Sequence, residues 1–182
     1  MNFGKEEKKE ISIRFCGAGG MGVILASIVL GQAAIDDGKN AIQTQSYGAE
    51  QRGTKVKSDI LISDLEEPTF PLFNKVDVLI AFSQDAFDHF LPSVWEKSII
   101  LINKDLIEFN DAAQQDVYKI PASSLADELN NPKIMNIIML GSLLKITDIV
   151  SKDSLIDAIG NSVPKNYKQV NIEGFEKGFN SI

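Results

Sequence analysis

The stretch that decides the fold is Ile11-Ser12-Ile13-Arg14-Phe15-Cys16-Gly17-Ala18-Gly19-Gly20-Met21-Gly22-Val23-Ile24-Leu25-Ala26. Residues 11–16 alternate apolar and polar, the period of a half-buried strand. The run then meets Gly17, Gly19, Gly20 and Gly22, which a strand cannot absorb but a tight turn can. From residue 20 to 36 the chain is small and apolar, which predicts a helix buried on much of its surface. Positions 17, 19 and 22 spell G-x-G-x-x-G between a strand and a helix, the context this motif requires. Its physics is direct. Glycines let the backbone turn tightly and approach a neighbour closely, and the helix N-terminus presents unpaired N–H groups and the positive dipole end to an anion.

Working outward, Gly38 and Asn40 end that helix, and residues 41–45 make a short second strand. Residues 54–62 make a third, and a connection with Pro68 and Pro71 follows. Residues 76–82, Val-Asp-Val-Leu-Ile-Ala-Phe, are nearly all apolar, as in a strand covered on both faces. A short helix over 85–91 and strands over 98–103 and 116–120 complete the alternation. The remainder reads as helical: Ser123 caps a helix to about residue 130, residues 133–146 are strongly periodic, Ser151 caps a helix to about residue 160, and 171–179 form the last. This pattern predicts an α/β fold, a Rossmann-like open mixed sheet with flanking helices and a helical C-terminal part. The second and third strands are joined by a loop too short for a parallel crossover, so at least one strand must run antiparallel. Residues 11–182 are expected to be a single domain, behind a frayed tail at 1–10.

Composition narrows the function. Among 182 residues, 25 Asp and Glu outnumber 18 Lys and Arg, and this acidic balance argues against a nucleic-acid partner. Charges occupy the N-terminus where a signal peptide needs an apolar stretch, and residues 23–35, interrupted by Gly31 and Gln32, are too short to span a bilayer. A soluble, cytoplasmic protein without a membrane partner is the expectation. One cysteine, Cys16, excludes an internal disulfide, and with one histidine, His89, it excludes four-thiolate clusters and structural zinc sites. Neither a metal site nor a catalytic residue is assigned to this chain. If it serves a redox reaction, the electron carrier sits elsewhere.

A dinucleotide site would require an acidic residue at the end of the second strand for the ribose hydroxyls. That strand ends Gln43-Thr44-Gln45, Asp36 and Asp37 precede it, and no arginine stands there for a 2′-phosphate. A stand-alone Rossmann-type oxidoreductase is therefore the alternative reading, and glycines that serve only helix–strand packing are another. The next loop, Ser46-Tyr47-Gly48-Ala49-Glu50-Gln51-Arg52-Gly53, follows the second strand at the edge where open α/β sheets form their ligand crevice. Tyr47 offers a stacking face and a hydroxyl, and Arg52 a planar fork for phosphate or carboxylate. Glu50 can orient Arg52 or meet a neighbouring chain, and Gly48 and Gly53 relax the backbone at both ends. The plain alternative is a surface loop with a solvated Glu–Arg pair.

The two loops together resemble the gamma subunit, or gamma domain, of the pyruvate and 2-oxoacid:ferredoxin oxidoreductases, in which G-x-G-G-Q-G and Y-G-x-E-x-R-G-G are characteristic. Here they stand as Gly17-Ala18-Gly19-Gly20-Met21-Gly22 and Tyr47-Gly48-Ala49-Glu50-Gln51-Arg52-Gly53-Thr54. The resemblance continues through Ile62-Ser63-Asp64, through Asp77-Val78-Leu79-Ile80-Ala81-Phe82 with Ser83-Gln84-Asp85-Ala86, through Asn136-Ile137-Ile138-Met139-Leu140-Gly141, and into the tail with Asn171 and Gly178. Met21 replaces the usual glutamine and Thr54 the last glycine, and the first loop's backbone is expected to survive the change.

The resemblance implies a subunit that is not catalytic alone, within a complex that oxidatively decarboxylates a 2-oxoacid, reduces ferredoxin and forms an acyl-CoA. It implies alpha, beta and, where present, delta partner subunits that carry thiamine diphosphate, magnesium and iron–sulfur clusters, with ferredoxin reached through the complex. Coenzyme A is expected at or near this chain's surface, close to Gly17, Gly19, Gly20, Gly22, Tyr47, Gly48, Glu50, Arg52 and Gly53. A short gamma chain without a fused ferredoxin-like part looks most like the 2-oxoglutarate type, with pyruvate, branched-chain oxoacid and indolepyruvate enzymes left open. Among minor candidates, Cys16 is read as a small buried residue before a reactive one, His89 as exposed, Trp95 as core or interface, and Lys55 and Lys57 as a solvent face.

Overall fold

The computed structural model describes residues 10–47, 55–65, 73–109 and 115–182. Its order is β1 (Glu10–Ala18), α1 (Val23–Asp36), β2 (Asn40–Tyr47), β3 (Lys55–Ser63), β4 (Val76–Ala81), α2 (Gln84–Phe90), β5 (Val94–Asn103), β6 (Asp116–Ile120), α3 (Ala122–Glu128), α4 (Met135–Thr147), α5 (Lys152–Ser162) and α6 (Lys168–Phe179). The strands form one sheet in the order β2-β3-β1-β4-β5-β6. β3 runs antiparallel to both β1 and β2, while β4, β5 and β6 continue parallel to β1. The expected mixed sheet is thus present, with β3 as the reversed strand, inserted between β1 and β2.

Alternation along the strands builds two cores. Ile13, Phe15, Ile60, Ile62, Val78, Ile80 and Leu101 point to the face covered by α1 and the C-terminal helices. Cys16, Leu79, Ala81, Ile100 and Ile102 point to the other face, under Ala86 and Phe87 of α2. Each fully buried Ile, Leu or Phe contributes on the order of 1.5–3 kcal/mol, which makes this two-sided burial the main stabilising force. β4 is covered on both sides, which explains its unbroken apolar sequence.

Polar residues inside this framework are paired. Arg14 on β1 lies opposite Asp59 on β3 and binds it bidentately at 2.6 and 2.7 Å, and both side chains are 3% exposed. Arg14 also donates to Ser93 Oγ and the Phe73 carbonyl, and Lys57 Nζ reaches Asp59 at 3.0 Å. Lys57 is therefore half-buried in an ion-pair cluster, whereas Lys55 is exposed as expected. α4 and α6 cross at glycine: a Cβ on Gly141 would sit 2.1 Å from Phe175 O, and one on Gly178 would sit 1.9 Å from Ile138 O.

Helix ends depart from the sequence expectation in identifiable ways. α1 begins at Val23 because Gly20 and Gly22 hold positive φ, which no helix tolerates. α3 is capped at Pro121, so Ser123 is not its cap; Ser123 lies in the first turn, where its Oγ accepts from Asn103 Nδ2 at 2.8 Å. Ser151 does cap α5, accepting Ser154 N–H at 3.2 Å. α6 starts at Lys168, upstream of Asn171, whose amide donates back to Tyr167 O. Trp95 is 52% exposed with Lys75 5.2 Å from its ring centroid, so it belongs to the surface and not to this chain's core.

Candidate functional site at the glycine loop

The sheet's topological switch lies between β1 and β4: the chain leaves β1 through α1 on one face and leaves β4 through α2 on the other. In open α/β sheets the crevice opens at the C-terminal ends of such strands. The glycine loop stands there. Cys16 pairs with Ala81 as the last register pair of β1 and β4, and Phe82 N–H donates to Cys16 O at 2.8 Å.

The loop's glycines divide by role. A Cβ on Gly17 would lie 3.0 Å from Phe82 Cβ and 3.1 Å from Val23 Cγ2, so this position serves the strand–helix packing. Gly22 is the N-cap of α1 at φ 75°, and a Cβ there would meet Asn136 Nδ2 at 2.4 Å. Asn136, only 2% exposed, donates to Gly22 O at 3.2 Å, and the same carbonyl accepts Ala26 N–H, the first bond of the helix. Gly19 and Gly20 are exposed, with nothing within 4 Å of an added Cβ. Packing thus accounts for Gly17 and Gly22, and an open backbone surface remains at Gly19 and Gly20 beside the N-terminus of α1. The amides of that first turn have no partners within the helix.

Met21 closes the turn. Its N–H donates to Ala18 O at 3.3 Å, and its thioether sulfur accepts Ala18 N–H at 3.3 Å. The loop backbone folds with methionine at the position of the family's usual glutamine.

β2 brings the second loop to the same edge. Gly17 of β1 and Tyr47 of β2 are both registered on Val56 of β3, one on each side. β2 runs parallel to β1, so both strands deliver their following loops to one end of the sheet. Gly48, Glu50, Arg52 and Gly53, like the side chain of Tyr47, lie outside the described residues.

The remaining candidates resolve simply. Cys16 is fully buried, and that burial pushes its thiol far above the ordinary range; Arg14 pulls it down more weakly and Asp59 adds a smaller push upward. It is not a reactive thiolate. His89 is exposed, edge-on to Phe90. A groove of about 590 Å³ between α3 and α6, lined by Leu125, Leu129, Ile172 and Glu173 among others, shares no residue with the glycine loop. Among the described residues no helix is long and apolar enough to cross a membrane.

The residue that sequence reading left without a role is Asn136. A buried amide within the apolar run Met135-Asn136-Ile137 demands a partner, and that demand was the available signal. Its partner, 114 positions away, was not readable from the sequence.

A Rossmann-like sheet with a glycine turn at its switch point and a reversed strand inserted beside β1 defines an α/β module with open backbone at the C-terminal end of β1. The chain belongs to the pyruvate ferredoxin/flavodoxin oxidoreductase family, whose family model matches residues 12–181, and within it to the gamma subunits of the 2-oxoacid:ferredoxin oxidoreductases. It is 43% identical over 176 residues to the 2-oxoglutarate synthase subunit KorC of Methanocaldococcus jannaschii, covering 94% of each chain. The crystal structure of a keto/oxoacid ferredoxin oxidoreductase gamma subunit from Geobacter sulfurreducens superposes with a TM-score of 0.83 at 32% identity, covering 94% of this chain and 97% of that one. The fold also recurs in the 2-oxoglutarate:ferredoxin oxidoreductase of Magnetococcus marinus, with a TM-score of 0.85 at 23% identity. There it covers 95% of this chain but 31% of the longer one.

Proposed function

We propose that this subunit serves a 2-oxoglutarate-oxidising complex and forms part of its coenzyme A site. The observation that carries the reading is the shared registration of Gly17 and Tyr47 on Val56, which sends both motif loops to one sheet edge. The open backbone at Gly19 and Gly20 fits a ligand that approaches main chain closely, and the α1 N-terminus suits its phosphates. Bound there, CoA supplies the thiol that accepts the acyl group. This chain's part is to hold and orient it: backbone N–H groups at Gly19 and Gly20 as donors, and Arg52 as a phosphate or carboxylate clamp.

Two comparisons support the substrate reading: the 43% identity to a 2-oxoglutarate synthase subunit, and the recurrence of the fold in an oxidoreductase whose structure holds 2-oxoglutarate, coenzyme A and succinyl-CoA. Iron–sulfur clusters belong on alpha and beta partners, since one cysteine and one histidine cannot ligate them. Thiamine diphosphate and magnesium are assigned to the same partners on the family resemblance. Ile28 and Ile35 on the outer face of α1, 46% and 54% exposed, supply apolar surface for such partners. A cytoplasmic site of action follows from this assembly.

The test is the complex purified with its native partners and assayed by viologen reduction across a panel of 2-oxoacids. Preferred turnover of 2-oxoglutarate is expected. Arg52→Ala is expected to raise KM for CoA with thiamine diphosphate binding intact; unchanged CoA kinetics in that variant would remove Arg52 from the site.

A further inference from the structure

We infer that Met21 is a positioning residue, whose sulfur holds the glycine turn in the shape that a ligand at Gly19 and Gly20 would meet; this rests on the reading of that surface as part of the coenzyme A site. The reason begins with strand geometry. Successive backbone N–H groups of a strand point to alternate sides. Cys16 O accepts Phe82 N–H from the β4 side, so Ala18, two residues on, also turns its N–H toward β4. The ladder between β1 and β4 stops at Cys16 and Ala81, so it does not carry on to serve this amide. Met21 takes it, with Sδ 3.3 Å from Ala18 N, while Met21 N–H returns to Ala18 O at 3.3 Å.

Residues 18 and 21 are therefore tied reciprocally, and the backbone they span is Gly19-Gly20, the open part of the loop. The side chain is also fixed from behind, since Met21 is half-buried and packs on the main core. A thioether is a weak acceptor, so the tie is modest and its loss should loosen the turn without unfolding the domain. Leucine keeps the bulk and removes the acceptor. Glutamine has similar reach and offers an amide oxygen, a stronger acceptor than sulfur.

The experiment compares Met21→Leu and Met21→Gln in the complex with its native partners, by hydrogen exchange at the Ala18 amide and by steady-state kinetics. Met21→Leu is expected to speed Ala18 exchange and raise KM for CoA roughly three- to tenfold, the factor for one hydrogen bond of modest net strength, with kcat and the 2-oxoacid KM unchanged. Met21→Gln is expected to restore both. Unchanged Ala18 exchange in the leucine variant would overturn the proposal, and so would equal loss in both variants, because packing and not acceptance would then hold the turn. Faster exchange with unaltered CoA kinetics would support the sulfur's hold on the turn and overturn the coenzyme A reading.

Discussion

Gly17 and Tyr47 flank the same residue, Val56, from opposite sides of β3. With strands about 4.8 Å apart, the two backbones stand roughly 10 Å from each other at the point where both strands run out. Thirty residues separate them along the chain. The crossover through α1 makes β2 parallel to β1 and brings both loops to one end, and the reversed strand β3 fills the gap between them. The β1-α1-β2 unit is therefore what assembles the candidate site, and the glycine loop is the part of it that the structure describes.

The glycine loop should tolerate no side chain at Gly22. Alanine there meets two penalties: the left-handed φ of 75° costs about 1–2 kcal/mol, and the overlap with Asn136 at 2.4 Å adds about 1–3 kcal/mol. Gly22→Ala is expected to lose roughly 2–5 kcal/mol in urea unfolding. Gly19→Ala, with open space around it, is expected to stay within about 0.5 kcal/mol. Equal losses at the two positions would contradict the division of the loop into packed and open glycines.

How far the sequence could reach follows from the same residues. The strand–turn–helix at 11–36 was legible because alternation, glycines and an apolar run all lie within one window. The reversed strand was legible because a short loop forbids a crossover. The partners were not. Arg14 and Asp59, 45 positions apart, look like ordinary alternating polar residues until β3 pairs with β1 and buries both. Asn136 is one polar residue in an apolar run until α4 is placed beside the mouth of β1. Ser123 looked like a cap because Ser is favoured at such positions, but Pro121 fixes the helix start upstream and the hydroxyl serves Asn103. Local chemistry marks elements, and tertiary pairing decides what their polar residues do.

The crossing of α4 and α6 gives a second contrast. Gly178→Ala would place a methyl 1.9 Å from a backbone carbonyl of α4, which cannot yield without separating the helices. A loss of about 3 kcal/mol or more is expected. Gly160→Ala meets only the flexible end of Lys168, at 2.5 Å, within α5. Helix propensity there favours alanine by up to about 1 kcal/mol. Denaturant midpoints should fall for the first and hold or rise for the second; a rise for Gly178→Ala would mean the helices do not cross at that glycine.

Asp37 ties the end of α1 to the start of α5. Its carboxylate accepts Ser151 N–H, Ser151 Oγ at 2.8 Å and Ser154 Oγ at 2.5 Å. Partial desolvation works to raise its pKa, but the hydrogen bonds from Ser154 and Ser151, with Lys39 nearby, outweigh it and hold the carboxyl below its ordinary value. A depressed carboxyl stabilises the fold above its unfolded pKa, and this contribution is lost as pH falls through the folded pKa. Stability should therefore drop on acidification below the ordinary carboxylate range. In Asp37→Asn the part of that drop due to this residue should vanish. Urea midpoints of the two proteins measured from neutral to acidic pH should converge at the acid end. A gap between them that stays constant with pH would show that the tie does not depend on charge.

Cys16 supplies a clock for opening of the sheet. Its side chain is fully buried between β1, β4 and the α2 face, and burial holds the thiol protonated. In thiol–disulfide exchange the thiolate attacks the reagent's disulfide and expels its leaving thiolate, so only an ionised cysteine that the reagent can reach is labelled. Labelling in native buffer should therefore be slow, and should accelerate with denaturant in step with global unfolding. Mass spectrometry of the intact chain counts the adduct directly, since this is the one cysteine present. Rapid labelling of the folded protein, independent of denaturant, would mean that the end of β1 opens on its own, and the glycine loop that continues from it would then not be a preformed surface.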